Sequence, residues 1–431
     1  MRTLQVREFE SINCGAAFQP ETRTVTAAQA EALEGFSERY KTSRGVQVFR
    51  NGPRSSLIAQ NFVGLISLGA HQVEVLPKIE GTTYQARRSL AGMIAVTLGL
   101  QLHTETTGHV DRVDETILEL IIALFCEQLW RSVRGGIVRR YVSRSENLVV
   151  LRGRLDVAQQ LRLNIARPDR LYCVFDEFSD DNGLNRLLKA ALRLICRVAR
   201  GEATQRSIAE LLFCFQDVAD VPAAQAAGIH VTTDRLTERY APLIRMAKMF
   251  LEGASPDVIS GSGEGYAILF DMNELFEEFV GRMAMRAFAP QGLRVALQGP
   301  RRHFATCHVG NPAFALRPDI VVSNGDRPLY VMDTKWKTLK PQASNEAVSS
   351  ADMYQMAAYA HRYDVSDVVL LYPHSGELGP WVARRNQYSL AAFGQPDRPR
   401  RVAISTVSLL NIGVVAEQLI ALFSGQAAEA A

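Results

Sequence analysis

The sequence predicts an α+β protein of several domains: a small β-rich amino-terminal module, a mainly helical middle region, and a carboxyl-terminal mixed sheet flanked by helices. Three observations predict this class. The chain has 431 residues, 47% of them hydrophobic, which is enough for several cores. Short strand-like runs crowd the amino-terminal part, and strand and helix patterns alternate after a Gly/Ser-rich stretch at 260–265. We therefore expect domains at residues 1–85, 86–262 and 263–431.

Composition excludes several classes of protein. Lys and Arg total 48 against 45 acidic residues, so any contact with nucleic acid must come from local clusters of charge. The six cysteines show no zinc-like spacing, which favours reduced thiols. The chain begins without the apolar core of a signal peptide and lacks a run of about 18 apolar residues that could span a membrane. We expect a cytoplasmic protein with no membrane partner.

The amino-terminal module is predicted from residues 45–79, where short alternating runs are separated by turn residues. The Asn51-Gly52 pair is typical of a tight turn between two strands, so hairpins are expected here. This segment contains no cluster of catalytic side chains. That absence favours a docking platform for a partner over an active site.

The middle region is predicted to be helical, with a long helix that ends at Gly135-Gly136. An extended segment rich in arginine follows it. Its arginines are Arg139, Arg140, Arg144, Arg152 and Arg154. Two interpretations remain open for them: a solvated basic face, or a surface that contacts phosphates.

The most informative stretch is "LRPDIVVSNGDRPLYVMDTKWK", residues 316–337, in which two strand-like runs each carry an aspartate. The two-residue period of a strand places Asp333 and Lys335 on one face. The turn-rich residues between the runs predict a hairpin. If the hairpin is centred on Asp326, Asp319 lies opposite Asp333, with Cβ atoms about 5 Å apart.

Two carboxylates this close repel each other unless a cation lies between them. Oxygen ligands without nearby Cys or His favour Mg²⁺, with Mn²⁺ possible, over zinc. Such an ion can bind a phosphate oxygen and activate water, and Lys335 would orient the water or stabilise the transition state. The Asp333-Thr334-Lys335 triplet is the only [DE]-x-K sequence in the chain. The alternative is that Asp319 and Asp333 are unrelated strand-end charges paired with arginines such as Arg317.

Two helices flank this stretch in the sequence. Gln355 and Tyr359 are four residues apart and therefore share one helix face, where they could hold a phosphate or neighbours of the attacking water. In "DMNELFEEFV", Glu277 or Glu274 could supply a third carboxylate. A solvent-exposed helix charge is the alternative for both glutamates.

These motifs, taken together, resemble the PD-(D/E)xK nuclease core with its QxxxY extension. Within that superfamily the sequence resembles the McrC family, the nuclease subunit of the McrBC modification-dependent restriction system. Further matches lie outside the catalytic strands, in "LRGRLD", "FDEFSDDNGLNRLLKAAL", "FDMNELFEEFV" and "LLYPH". Together they cover about residues 151–374.

The resemblance implies a Mg²⁺-dependent type IV restriction endodeoxyribonuclease of phage defence, with a PD-(D/E)xK carboxyl-terminal domain. Its partners would be DNA, a McrB-like AAA+ GTPase ring that it stimulates, and a second copy for double-strand cutting. The sequence has no GxxxxGK[ST] phosphate loop, so the motor is expected on another chain. The resemblance implies three metal ligands, which are Asp319, Asp333 and Glu277. It also implies that Lys335 is the catalytic lysine and that the helix motif consists of Gln355 and Tyr359. The alternatives are a non-cleaving assembly factor that activates the GTPase, and a stand-alone repair nuclease of the same core.

Overall fold

The computed structural model describes residues 2–39, 46–100, 116–235, 237–255, 265–341, 348–379, 381–382, 384–390, 400–424 and 428–429. The chain forms two compact units, one of Met1–Ile117 with Asp257–Ala431, the other of Leu118–Pro256. This division differs from the three consecutive domains expected, because the first and last segments belong to one unit. Apart from Gly265, the predicted Gly/Ser-rich linker lies outside the described residues.

The amino-terminal part of the first unit is rich in short strands. Its elements are β1 (Arg2–Arg7), β2 (Ser11–Gly15), β3 (Thr24–Thr26), α1 (Ala27–Arg39), β4 (Phe49–Asn51), β5 (Leu57–Ala59), β6 (Phe62–Leu68), β7 (His71–Leu76) and α2 (Thr83–Thr97). The order β3-β2-β5-β4 forms one sheet, and β1-β7-β6 forms part of another. The predicted hairpin around Asn51-Gly52 is present, since β4 pairs with β5 in antiparallel fashion. Helix α2 begins with a capping box between Thr82 and Gln85.

Helices dominate the second unit. Its elements, with the helix that enters it, are α3 (Ile117–Val133), β8 (Arg140–Leu148), β9 (Arg154–Leu155), α4 (Val157–Leu163), β10 (Leu171–Ser179), α5 (Gly183–Val198), α6 (Glu202–Cys214), α7 (Ala223–Ala227), α8 (Ala241–Gly253) and β11 (Ala254–Ser255). Strands β8, β10 and β9 form an antiparallel sheet in that order. The arginine-rich segment lies in this sheet.

The carboxyl-terminal part of the first unit alternates strands and helices. Its elements are β12 (Gly265–Asp271), α9 (Met272–Phe288), β13 (Arg294–Leu297), β14 (Arg302–Thr306), β15 (Pro312–Leu316), β16 (Ile320–Asn324), β17 (Arg327–Thr334), α10 (Ser350–Tyr363), β18 (Asp367–Pro373), β19 (Trp381–Val382), β20 (Arg384–Ser389), β21 (Arg401–Val407), α11 (Val415–Ser424) and β22 (Ala428–Glu429). The order β13-β16-β17-β18-β21-β20 forms a mixed sheet, in which β17, β18 and β21 run parallel. The fold is therefore α+β with mixed sheets, as the sequence predicts.

Helices cover both faces of the mixed sheet. On one face, Val331 and Leu370 share a buried cluster with Tyr359 and Tyr363 of α10. The neighbouring residue Tyr330 points to the other face, where its ring stacks 4.0 Å from Phe423 of α11. This alternation follows from the two-residue period of a strand. No helix in the described part of the chain is long and apolar enough to cross a membrane.

A pair of strands connects the first and last segments within one sheet. Strand β12 lies antiparallel to β6 along its length, from Tyr266 opposite Ser67 to Asp271 opposite Phe62. Gly64 of β6 has φ +140°, and an added Cβ would lie 1.9 Å from the Ile268 carbonyl oxygen, so only glycine permits this approach. This pairing is one of the contacts that make the two segments one unit.

Candidate active site

The two aspartate-bearing strands form the predicted hairpin. Ile320 lies opposite Met332 and Val321 opposite Val331, which is the register expected for a turn centred on Asp326. The register shifts by one residue between Val322 and Ser323, away from the aspartates. Asp319 directly precedes the pair Ile320–Met332, so it faces Asp333 across the strands.

Asp333 is almost fully buried, with 1% of its surface exposed. Burial raises the pKa of Asp333 to about 7, the charge of Asp319 adds to the rise, and Lys335 opposes it. The Lys335 ammonium contacts Asp333 Oδ2. Burial lowers the pKa of Lys335, but the carboxylates of Asp333, Asp319 and Asp352 together raise it by more, so its net shift is upward. The site therefore concentrates more negative charge than one lysine offsets.

Asp319 is held by the strand opposite. Its Oδ2 accepts hydrogen bonds from the Thr334 backbone N–H and the Thr334 hydroxyl, both at 2.7 Å. The backbone of Asp319 is fixed as well, because its carbonyl accepts from the Gln298 N–H at 2.7 Å. These bonds set the Asp319 carboxylate beside Asp333 before any ligand binds.

The predicted third carboxylate, Glu277, lies on α9 and is not brought into a cluster with the two aspartates. Its Oε1 accepts from Gln298 Nε2 at 2.8 Å. In the described part of the chain, no three His, Cys, Asp or Glu side chains meet in a way that could hold a metal ion. Mg²⁺ is often bound by one or two carboxylates and keeps several waters. The donor set of Asp319 and Asp333, crowded and negative, therefore fits a hard divalent cation without Glu277.

Gln355 and Tyr359 share one face of α10, as the sequence predicts, and they bind each other. Gln355 Nε2 donates to the Tyr359 hydroxyl at 2.8 Å, and that hydroxyl donates to the Arg317 carbonyl at 3.0 Å. Burial raises the pKa of Tyr359 well above its usual range, and the charge of Asp333 adds to the rise. Tyr359 therefore stays protonated and holds the backbone two residues before Asp319.

Asp352, which the sequence reasoning did not single out, lies near the same charges. It is buried in the first turn of α10, and its carboxylate lies 3.2 Å from Lys337 Nζ. Burial raises the pKa of Asp352, but its hydrogen bonds with Ser349 and Lys337 lower it by more. Its negative charge also raises the pKa of Lys335. The sequence feature that could have indicated Asp352 is its position as an acidic residue in the first turn of the helix that carries Gln355.

Trp336, the residue after Lys335, connects the candidate site to the amino-terminal module. Its indole N–H donates to the Glu8 carboxylate at 2.9 and 3.1 Å. Lys78 Nζ donates to the Trp336 carbonyl at 3.0 Å, and the Lys78 backbone N–H donates to Glu8 at 2.9 Å. Burial raises the pKa of Glu8 to about 7, against the opposing charge of Lys78. Because these partners lie more than 250 residues apart in sequence, no local pattern could reveal them.

In the second unit, carboxylates accompany most of the arginine-rich segment. The pairs are Arg139 with Asp180 at 2.8 Å, Arg140 with Asp234 at 2.8 Å, Arg144 with Glu177 at 2.7 Å and Arg152 with Glu177 at 3.2 Å. These carboxylates offset the positive charge with which the arginines would otherwise attract a phosphate. The geometry favours the solvated basic face over a phosphate-contacting surface.

Comparison with known proteins gives matches of two kinds. The family model described as "McrBC 5-methylcytosine restriction system component" matches residues 57–373. A chain in the structure of a half-complex from the tetradecameric assembly of Thermococcus gammatolerans McrB AAA+ hexamers with bound McrC is similar, with a TM-score of 0.67 at 19% identity. That match covers 97% of this chain and 99% of the other.

A chain of the cryo-EM structure of the Thermococcus gammatolerans McrBC complex matches less closely, with a TM-score of 0.49 at 20% identity over 66% of this chain and 88% of the other. No curated protein matches the chain. The first structural likeness shows a shared fold over nearly the full length. The family match spans well over half of the sequence and includes Asp319, Asp333, Lys335, Gln355 and Tyr359. The chain therefore belongs to the family of McrBC 5-methylcytosine restriction system components.

Proposed function

We propose that the chain is the Mg²⁺-dependent DNA endonuclease subunit of a McrBC-type restriction system, a type IV enzyme with a PD-(D/E)xK core. The observation that carries the proposal is the convergence of two carboxylates and one ammonium at the end of adjoining strands. The buried Asp333 has a pKa raised to about 7 by burial and by Asp319. Perturbed titratable groups of this kind are typical of functional sites.

Each residue has a definite task in this proposal. Asp319 and Asp333 would hold the Mg²⁺, or Mn²⁺ in its place, which supplies Lewis-acid activation of a phosphoryl oxygen when bound. Lys335, kept protonated by Asp333, donates to the attacking water or to the oxygens on which charge develops. Gln355 and Tyr359 act as positioning residues, since Tyr359 holds the Arg317 carbonyl next to Asp319. Glu277 fixes Gln298, which binds the Asp319 backbone.

A McrB-like AAA+ GTPase ring is the proposed partner, and the second unit offers a surface for it. Large apolar side chains between residues 149 and 165 are more than half exposed: Val149, Val150, Leu151, Val157, Leu161, Leu163 and Ile165. Apolar exposure on this scale marks an interaction surface in a soluble protein. The structural relative is described as bound to McrB hexamers, which supports the same kind of partner here.

This apolar surface also favours the second candidate function, a non-cleaving assembly factor that activates the GTPase. One experiment separates the two. The chain is co-expressed with its AAA+ partner, and Mg²⁺-dependent cleavage of methylated and unmethylated DNA is measured together with GTP hydrolysis. We expect Asp333→Ala and Lys335→Ala to abolish cleavage while the stimulation of GTP hydrolysis persists.

The controls for that experiment are direct. Asp326→Ala changes an exposed aspartate in the turn of the same hairpin and should leave cleavage intact. Cutting by either catalytic variant would refute the site assignment, whereas no cutting by the wild type with its partner would favour the assembly factor. Cleavage without the partner would point to the third alternative, a stand-alone repair nuclease.

A further inference from the structure

A β-hairpin of β14 and β15 leads directly into the candidate active site. Residues 299–318 leave the mixed sheet after β13 and return immediately before Asp319, and the Gln298 N–H bonds the Asp319 carbonyl at the base. Helix α10 fixes both ends of this hairpin. Tyr359 binds the Arg317 carbonyl at 3.0 Å, and Tyr363 binds the Pro300 and Leu316 carbonyls.

A further contact fastens the first strand of the hairpin. The Arg302 guanidinium lies over the Tyr363 ring, 4.7 Å from its centroid, and donates to the Arg362 carbonyl at 2.6 Å. The helix face that begins with Gln355 and Tyr359 is therefore used mainly to hold this hairpin. The hairpin is thus held in place beside the candidate site, where it could contact a substrate.

The hairpin carries positive charge and no acidic side chains. Residues 298–318 contain three arginines and two histidines, and no Asp or Glu. The arginine-rich segment of the second unit differs, because carboxylates pair with most of its arginines. Arg301, His303 and His308 are exposed on the hairpin. This segment is the local concentration of positive charge that a nearly neutral chain needs to contact phosphates.

The hairpin also carries two exposed aromatic rings. Phe304 is 50% exposed and Phe314 is 76% exposed. They occupy facing positions, between the pairs His303–Ala315 and Ala305–Ala313. Phe314 also has φ +56°, a left-handed conformation that bulky residues rarely adopt. Neither ring is packed into a core, so water contacts both unless a ligand covers them.

From these observations we infer that the hairpin binds duplex DNA beside the scissile phosphate, with Arg301 on the backbone and the exposed Phe304 and Phe314 rings against base edges or steps. This inference rests on the proposed nuclease function and assigns its substrate contact. Basic side chains that take phosphates and apolar side chains that press between base steps are a common combination in DNA-binding proteins. A protein partner is the competing occupant, and the absence of acidic side chains on the hairpin favours the polyanion.

The test measures binding and cleavage separately. Fluorescence anisotropy of a labelled DNA duplex in EDTA gives the Kd of the full chain without cutting. The double variant Phe304→Ala/Phe314→Ala should raise Kd by about tenfold and raise KM with little change in kcat in the partner complex. Phe213→Ala, at a phenylalanine 71% exposed on α6, is the matched control and should change neither.

The phosphate contact has its own test. Arg301→Gln should reduce the slope of log Kd against log salt concentration by about one. Arg294→Gln, at the other end of β13, should leave the slope unchanged. Unchanged Kd in the phenylalanine variant, or loss of partner binding with DNA affinity intact, would overturn the inference.

The two proposals fail in different ways. If the wild type with its partner does not cut DNA, the nuclease proposal fails, while a tenfold change in Kd would still support the hairpin contact. If the wild type cuts and the phenylalanine variant binds and cuts like it, only the hairpin inference fails. Both rings are exposed, so a normal circular dichroism spectrum is expected for the variant.

Discussion

The replacement Asp333→Asn should stabilise the protein in the absence of divalent cations at high pH, although it removes a candidate catalytic group. Asp333 is 1% exposed, and burial, with the charge of Asp319, raises its pKa from 3.8 to about 7. Between these pH values the folded state binds one more proton than the unfolded state. The free energy of unfolding therefore falls as pH rises through this window.

The magnitude follows from the size of the pKa shift. Each unit corresponds to about 1.4 kcal/mol, so an ionised Asp333 costs about 4 kcal/mol at pH 8. Asparagine has the same shape and cannot ionise, but it leaves the half-buried Lys335 without its carboxylate partner. Because the pKa of about 7 already includes the attraction of Lys335, that loss is not subtracted again, and we expect a net gain of about 4 kcal/mol at pH 8. At pH 4 the gain disappears, because Asp333 is then protonated.

Urea unfolding in EDTA at several pH values between 4 and 8 measures this effect. The wild-type free energy of unfolding should fall more steeply with pH than that of Asp333→Asn, by about one proton. Asp326→Asn, the same replacement at a fully exposed turn position between β16 and β17, should behave like the wild type. Added Mg²⁺ should raise the melting temperature of the wild type at pH 8 and have little effect on Asp333→Asn. Equal pH slopes for the wild type and Asp333→Asn would refute the account of the site as crowded with negative charge.

Three further changes test other parts of the first unit. Tyr359→Phe removes the hydroxyl bound to the Arg317 carbonyl. Cleavage should therefore slow several-fold, and the free energy of unfolding should drop by about 1 kcal/mol. Unchanged cleavage would contradict a positioning role for Tyr359. Burial raises the pKa of Glu8 to about 7, so Glu8→Gln should flatten the pH dependence of urea unfolding between pH 4.5 and 7, and an unaltered dependence would contradict this. Arg87→Met leaves Glu74, which Arg87 binds at 2.5 Å, buried without a counter-charge. This change should lower the free energy of unfolding by about 3–5 kcal/mol, and a loss below 1 kcal/mol would contradict a stabilising role of the pair.

The sequence predicts the core of the candidate site well because that core is local. The turn between β16 and β17 is short and pairs Asn324 with Arg327, and the one-residue register shift between Val322 and Ser323 then brings Asp319 opposite Asp333. The four-residue spacing of Gln355 and Tyr359 likewise fixes a shared helix face. Periodicity within one helix is enough for the second result, whereas the first also depends on the bulge in the hairpin.

Features that depend on distant pairing escaped prediction. Strand β12 reads as the first strand of the last domain, yet it pairs with β6. Nothing near Trp336 in the sequence indicates that Glu8 accepts a hydrogen bond from its indole N–H. The family resemblance implied Glu277 as a metal ligand, and its hydrogen bond with Gln298, 21 residues away in the sequence, could not be predicted. Sequence periodicity predicts which face of a helix or strand a side chain lies on, but it does not predict which distant residue that side chain contacts.

The pairing of β12 with β6 has a practical consequence for dividing the protein. A fragment that starts near residue 265 would present β12 as a bare hydrogen-bonding edge, with the apolar side chains of Tyr266, Ala267 and Ile268 newly wetted. Such a fragment should aggregate even though it keeps the candidate site residues. The segment Leu118–Pro256, by contrast, interrupts that unit in the sequence as an insertion. Under the proposed function, chimeras that exchange this insertion between relatives should change the preferred partner and leave the candidate site unaltered.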